Sequence, residues 1–226
     1  MARRGLSASI FLLLALACAG AAALEPGTTS RTSRGAEITS CLAGEIRTWG
    51  DGQDRPAIAP SLQLVYDPAG SPPWFTAAQV TEALRRAAEA WAPCGVPVQL
   101  AGSAASGPGR VLVRWDDPGA RGNFGLADVG RRTLSLGPAA FRLLNERNPR
   151  YPATQTLQMV ISHELGHLLG LMAHSRRCVD VMSYYDDGKG QRCVARDMSL
   201  LKSVPEYRSS LPTACDLERC RAANGR

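Results

Sequence analysis

Residues 61–66 (Ser-Leu-Gln-Leu-Val-Tyr) alternate apolar and polar side chains, the period of a strand with one buried face. The period then lengthens. Val80, Leu84, Ala87, Ala88 and Trp91 recur at helical spacing, and Thr76 with Gln79 forms a capping-box pattern. A core helix is therefore expected to run to about residue 92, where Pro93 and Gly95 stop it. Residues 96–100 and 111–115 read as two further strands across a Gly/Ala/Ser loop. Residues 123–129 and 133–136, joined by Gly130-Arg131-Arg132, predict short strands near a sheet edge, and 139–145 a short helix. Leu157, Val160, Ile161, Leu165, Leu168 and Leu169 supply the apolar surface of a helix over 155–169. Asp197 is placed to cap a last helix over 198–204, halted by Pro205. This order of strands and helices is that of a single α+β domain without internal repeats.

Composition adds a compartment. The chain has 226 residues, enough for one domain. It starts Met1-Ala2-Arg3-Arg4, continues with an apolar run over 10–19, and reaches Ala21-Ala22-Ala23. That reads as a secretory signal peptide over residues 1–23. The run is too short for a membrane span, and no later segment is long and apolar enough to be one. Ala15-Leu16-Ala17-Cys18 is a lipobox-like alternative that would anchor the exported chain through Cys18. Residues 24–37, polar with Thr, Ser, Arg and Gly, read as a flexible mature N-terminus, and 38–226 as the folded domain with its C-terminal extension braced by disulfides. Six cysteines remain once Cys18 is set aside, and an even count in an exported chain implies a disulfide framework. Six allow fifteen pairings. The expectation pairs neighbours: Cys178–Cys193, Cys215–Cys220 and Cys41–Cys94. Net charge is +6, of which Arg3 and Arg4 supply two, leaving +4 after processing. The basic residues are dispersed without aromatic interleaving, which argues against a nucleic-acid partner. A secreted, periplasmic or extracellular monomer is expected.

The chemistry is concentrated in residues 163–174, His-Glu-Leu-Gly-His-Leu-Leu-Gly-Leu-Met-Ala-His, which contain every histidine of the chain. His163 and His167, four apart, fall on one helix face about one turn from each other and can share one Zn²⁺. Glu164 borders that face and is placed to act as general base rather than as a ligand. Gly170 can take a left-handed conformation that ends the helix and turns His174 back toward the metal. Three protein ligands leave the fourth position open, as in catalytic zinc sites. A closed structural site would need a fourth ligand, for which Cys178 is the nearest candidate.

With Val181-Met182-Ser183-Tyr184 beyond His174, its Met182 eight residues on, the chain resembles the metzincin metalloendopeptidases, whose extended zinc motif is followed by a methionine turn. Within them it looks most like the matrixins, through His174-Ser175 and the short spacing to Met182. It departs from the matrixin pattern at Tyr184, which stands where proline is usual; a Met-x-Tyr turn is similar to that of astacins and serralysins. The resemblance implies a zincin fold with a twisted mixed sheet, a core helix, an active-site helix and a small C-terminal subdomain. It implies His163, His167 and His174 as ligands of one zinc ion, Glu164 as base, Met182 as the floor of the site, and Tyr184 either as an oxyanion donor or as packing. It also implies a protein or peptide substrate lying along an edge strand near residues 122–128, and a specificity pocket walled by residues 183–196. The activity implied is that of a secreted zinc endopeptidase; a non-catalytic peptide-binding module and a zinc amidase of other substrates are the alternatives. Asp116, Asp117, Asp186 and Asp187 offer oxygen ligands for Ca²⁺, but solvated loop acids are the favoured reading. A second, histidine-built zinc site is excluded because no histidine is left to form it.

Overall fold

The computed structural model describes residues 26–202 and 204–226. The signal peptide expected over residues 1–23, and Cys18 within it, lie outside these residues. Helix α1 spans Pro26–Thr39, β1 Leu62–Asp67, α2 Ala77–Trp91, β2 Val98–Leu100 and β3 Arg110–Trp115. Then follow α3 Asp117–Ala120, β4 Gly125–Asp128, β5 Thr133–Leu136, α4 Pro138–Arg147, α5 Ala153–Leu168 and α6 Ala214–Ala223. No helix among the described residues is long and apolar enough to cross a membrane.

The strands form one mixed sheet in the order β2-β1-β3-β5-β4. The first four run parallel, and β4 is antiparallel to β5, pairing Gly125 with Leu136 and Asp128 with Thr133. β4 is thus an outer strand. Alternate residues of the strands, Leu62 and Leu64, Val111 and Val113, Leu134 and Leu136, are buried in one core with the apolar stripe of α2 and most of α5. The capping box at Thr76 and Gln79 is formed as the pattern predicted. The α2–α5 contact is fixed by polar bonds as well as packing. The Trp91 indole N–H donates to the Ser162 carbonyl (3.0 Å), and the Gln158 amide donates to the Ala83 carbonyl (3.0 Å). Because α5 is buried on nearly every side, its apolar stripe is broader than that of a surface helix.

A second, smaller core is formed by Cys178, Val179, Cys193, Ala195 and Tyr207. Three sequence expectations change around it. Residues 24–37 were expected to be flexible because they are polar, yet from residue 26 they are helical, and the polar groups of α1 have tertiary partners. Buried Glu37 accepts the Tyr207 hydroxyl (2.7 Å), and Arg34 donates to the main-chain carbonyls of Tyr207 and Arg208 (2.8 and 2.7 Å). The expected helix over 198–204 is a 3₁₀ turn, Met198–Lys202, opened by Asp197 accepting the Ser199 N–H. Of the disulfides, Cys178–Cys193 forms as expected, but the others are Cys41–Cys215 and Cys94–Cys220. Cys215 and Cys220 cannot bridge each other because both lie on α6, where residues five apart point about 140° from one another. Instead they tie α6 to the end of α1 and to the end of α2. Closing loops of 174 and 126 residues in this way stabilises by about 4–5 kcal/mol each in the chain-entropy picture.

Candidate metal centre

α5 carries His163, Glu164 and His167 on adjoining positions, and the core holds the helix in place beneath them. At Gly166, between the two histidines, a side chain would collide with the Met182 sulfur and press on Trp91; glycine there lets buried Met182 sit directly against the helix. The helix ends at Leu168, and Gly170 takes φ +102°, as its place in the motif required. A Cβ at Gly170 would collide with the carbonyl oxygen of Arg55, and the Arg55 N–H donates back to the Gly170 carbonyl (3.0 Å). The chain turned in this way brings His174 back over the helix. The three ring centroids form a nearly regular triangle with sides of 4.9, 5.0 and 5.1 Å.

Each ring is held through Nδ1. His163 Nδ1 lies 2.7 Å from the Val181 carbonyl, His167 Nδ1 2.7 Å from the Leu171 carbonyl, and His174 Nδ1 2.7 Å from Asp51 Oδ2. Carbonyl and carboxylate oxygens only accept, so Nδ1 carries the proton in all three rings and the lone pair is left on Nε2. One ligating atom from each ring lies within 4.8 Å of those of the other two. Burial and the neighbouring imidazoles push the His163 pKa well below its usual value and that of His167 down to about 4. Three imidazoles, each held through Nδ1 and gathered around one point, make a donor set that could hold Zn²⁺. The hold on His167 is local, but that on His174 comes from 123 residues away and that on His163 is braced from α6. Asp216 on α6 accepts the Val181 N–H (2.9 Å), steadying the carbonyl that holds His163.

Glu164 Oε2 accepts the N–H of Ala127 on β4 (2.7 Å), which ties the carboxylate to the sheet edge. Burial pushes its pKa up to about 7, with the Ala127 N–H pulling the other way. β4 approaches so closely that a side chain at Gly125 would strike Val160 on α5. A cavity of about 670 Å³ opens here. It is bordered by residues 122–126, by the three histidines and Glu164, and by Leu144, Tyr151, Met159, Ser183, Tyr184, Glu206 and Arg208. The edge strand thus borders the cleft as the sequence suggested. The far wall does not follow the expected residues 183–196: beyond Tyr184 it is made by Glu206 and Arg208, whose side chains pair at 3.0 Å. The Tyr184 ring lies 4.9 Å from that of His174, and its hydroxyl donates to Asp51 (3.1 Å); burial, and then this anionic partner, raise its pKa to about 12.

The loop acids weighed as calcium ligands are engaged separately. Asp116 pairs with Arg114 (2.6 Å), Asp117 accepts the Ala139 N–H (2.9 Å), and Asp186 and Asp187 accept the N–H groups of Gly188 and Lys189 (3.0 and 2.8 Å). Among the described residues, the only other group close enough to share a cation is Cys41, Glu45 and Cys215, and its two cysteines are joined in a disulfide. Sequence reasoning missed Asp51, Glu206 and Arg208. The first has only a short acidic run, Asp51-Gly52-Gln53-Asp54, to mark it, and the others have no local signal.

No family model and no curated protein matches this chain. Solved structures to which this chain has some likeness include the GM1-bound form of the ECX AB5 holotoxin, at 16% identity, covering 77% of this chain and 87% of that chain with a TM-score of 0.47. They also include archaemetzincin from Methanopyrus kandleri, at 16% identity, covering 74% of this chain and 97% of that chain with a TM-score of 0.46. At this level of likeness the functional reading rests on the site itself.

Proposed function

We propose that this chain is an exported zinc-dependent endopeptidase of the metzincin type. The observation that carries the reading is the set of three imidazoles, each locked through Nδ1, converging beside a buried carboxylate in an open cleft. The three disulfides support export, since such bonds persist in oxidising compartments. When bound, zinc would supply Lewis acidity, polarising the scissile carbonyl and lowering the pKa of water toward neutrality. His163, His167 and His174 would hold it through Nε2. Glu164 has one oxygen occupied by Ala127, so Oε1 takes the proton of the attacking water and then delivers it to the leaving amine. An extended peptide adds to the outer edge of β4 by main-chain hydrogen bonds, which bind without regard to sequence. The wall from Leu144 to Arg208 then receives a side chain.

Met182 serves as the methionine of a matrixin-like turn, a soft apolar floor under the metal, supported by its burial against Gly166. Tyr184 stays protonated through its bond to Asp51 and is a donor beside the reacting carbonyl once it turns from that carboxylate into the cleft. Tyr184→Phe is expected to lower kcat about 100-fold with little change in KM, because the lost hydrogen bond is made in the transition state. Steady-state kinetics on a fluorogenic peptide checks this; unchanged turnover returns Tyr184 to packing. The reading as a whole is tested by digesting a peptide library with the zinc-loaded chain, with and without a chelator. Cleavage abolished by the chelator and restored by zinc is expected. A folded, zinc-loaded chain that binds peptides but cuts none is a binding module, and one that cuts only non-peptide amides is a different hydrolase.

A further inference from the structure

Two of the three imidazoles are held by main-chain carbonyls; only His174 is held by a carboxylate. Asp51 gathers three donors. Its Oδ1 accepts the main-chain N–H of His174 (2.9 Å), and its Oδ2 accepts both the His174 ring Nδ1–H (2.7 Å) and the Tyr184 hydroxyl (3.1 Å). His174 is also the ligand that needs such a hold most. It lies past Gly170, outside α5, so no helix fixes its backbone.

The segment bearing Asp51 is laid along the loop after α5. Thr48 and Ser175 form a β-bridge, and the Trp49 N–H donates to the His174 carbonyl (3.0 Å). The Trp49 ring stacks on Tyr184 with centroids 5.1 Å apart and planes 9° from parallel, and the Arg176 guanidinium lies 4.8 Å from the Trp49 ring centroid. Three residues on, Asp54 accepts the Ala173 N–H (3.1 Å) and pairs with Arg219, touching no histidine. The strap is thus anchored by several contacts, and Asp51 is the one that reaches a ligand side chain.

From this we infer that Asp51 is a positioning residue of the metal centre. Its carboxylate fixes the tautomer and angle of the His174 ring, makes the ring a stronger donor toward the cation, and holds Tyr184 in register beside it. A carbonyl suffices to fix a tautomer, as at His163 and His167, so what Asp51 adds is negative charge on the third ligand. This rests on the zinc reading above.

The test uses the full exported chain, wild type and with Asp51→Asn, Asp51→Ala or Asp54→Asn. The readouts are the zinc dissociation constant by competition with a chromogenic chelator, the visible spectrum of the Co²⁺-substituted protein, and the melting temperature without metal. Asparagine keeps the shape and one accepting oxygen but loses the charge and the second acceptor, so Asp51→Asn is the milder variant where Asp51→Ala does not fold. Asp51→Asn is expected to weaken zinc by about 10- to 100-fold and to shift the cobalt bands, with metal-free melting unchanged. Asp54→Asn is expected to keep wild-type affinity and bands. An Asp51→Asn protein with wild-type affinity and spectrum overturns the inference. So does an Asp54→Asn protein with the same loss, which would make the effect one of strap packing. Wild type that takes up no zinc overturns the endopeptidase reading together with this one, whereas tight wild-type zinc with an indifferent Asp51→Asn overturns this one alone.

Discussion

If the chain is the zinc endopeptidase proposed above, Glu164→Gln is expected to retain zinc and to lose peptide hydrolysis by about 10²- to 10⁴-fold, the range that a positioned acid–base group contributes. The substitution separates shape from chemistry. Glutamine fills the same space between β4 and α5, where β4 leaves no room to spare at Gly125. Its amide oxygen can still accept the Ala127 N–H that the carboxylate takes at 2.7 Å. The three imidazoles and their Nδ1 partners are untouched, so metal content stays at the wild-type level. Only the basic oxygen facing the cleft is gone. Zinc per chain and kcat/KM on one fluorogenic peptide, measured on the same preparation, check the expectation. Wild-type turnover would remove Glu164 from the reaction.

His167→Ala has its largest effect on the folded state. The ring sits 4.9 and 5.0 Å from its two partners and is the one donor that contacts both His163 and the turn after Gly170, through the Leu171 carbonyl. Two remaining imidazoles hold zinc far more weakly. A ligand that binds only the native state at a thousand times its Kd stabilises it by about 4 kcal/mol, which corresponds to a rise in melting temperature of about 10 °C for a domain of this size. That rise is expected for wild type and absent for His167→Ala. Thermal melts with and without added zinc read it directly. A variant whose melting temperature climbs with zinc as far as wild type would place the metal elsewhere.

What the sequence made legible is what short-range geometry encodes. The spacing of His163, Glu164 and His167, the turn at Gly170 and the capping box at Thr76 each depend on residues within a few positions of one another, and each is found where the pattern put it. The strands were visible for the same reason. The parts that brace the centre were not. α6 opens with a capping box at Thr213 and Asp216, but its buried residues are Cys215, Asp216, Arg219 and Cys220, so it has no apolar stripe for periodicity to detect. α1 likewise buries Glu37, whose carboxylate is satisfied by Tyr207 from 170 residues away. Asp51 stands 123 residues before the histidine it holds, and Glu206 and Arg208 reach the cleft wall from either side of Tyr207 in the second core. Such partners are chosen by tertiary closure, which also decided the pairing of Cys41 with Cys215 and of Cys94 with Cys220.

The division has a mechanical sense. The local motif supplies the three imidazoles and one of their holds, Leu171 on His167; longer-range bonds supply the other two, Asp216 through Val181 on His163 and Asp51 on His174. A donor set held this way gives up little conformational entropy when a cation arrives, which favours tight binding.

X-ray absorption at the zinc edge of the purified, zinc-loaded chain puts the centre to the most direct trial. One zinc per chain is expected, ringed by nitrogen and oxygen donors at about 2.0–2.1 Å, three of them imidazoles with the outer-ring scattering that marks them. A chain that retains no zinc, or one whose zinc shows a sulfur neighbour at about 2.3 Å, would contradict a three-histidine centre with an open position.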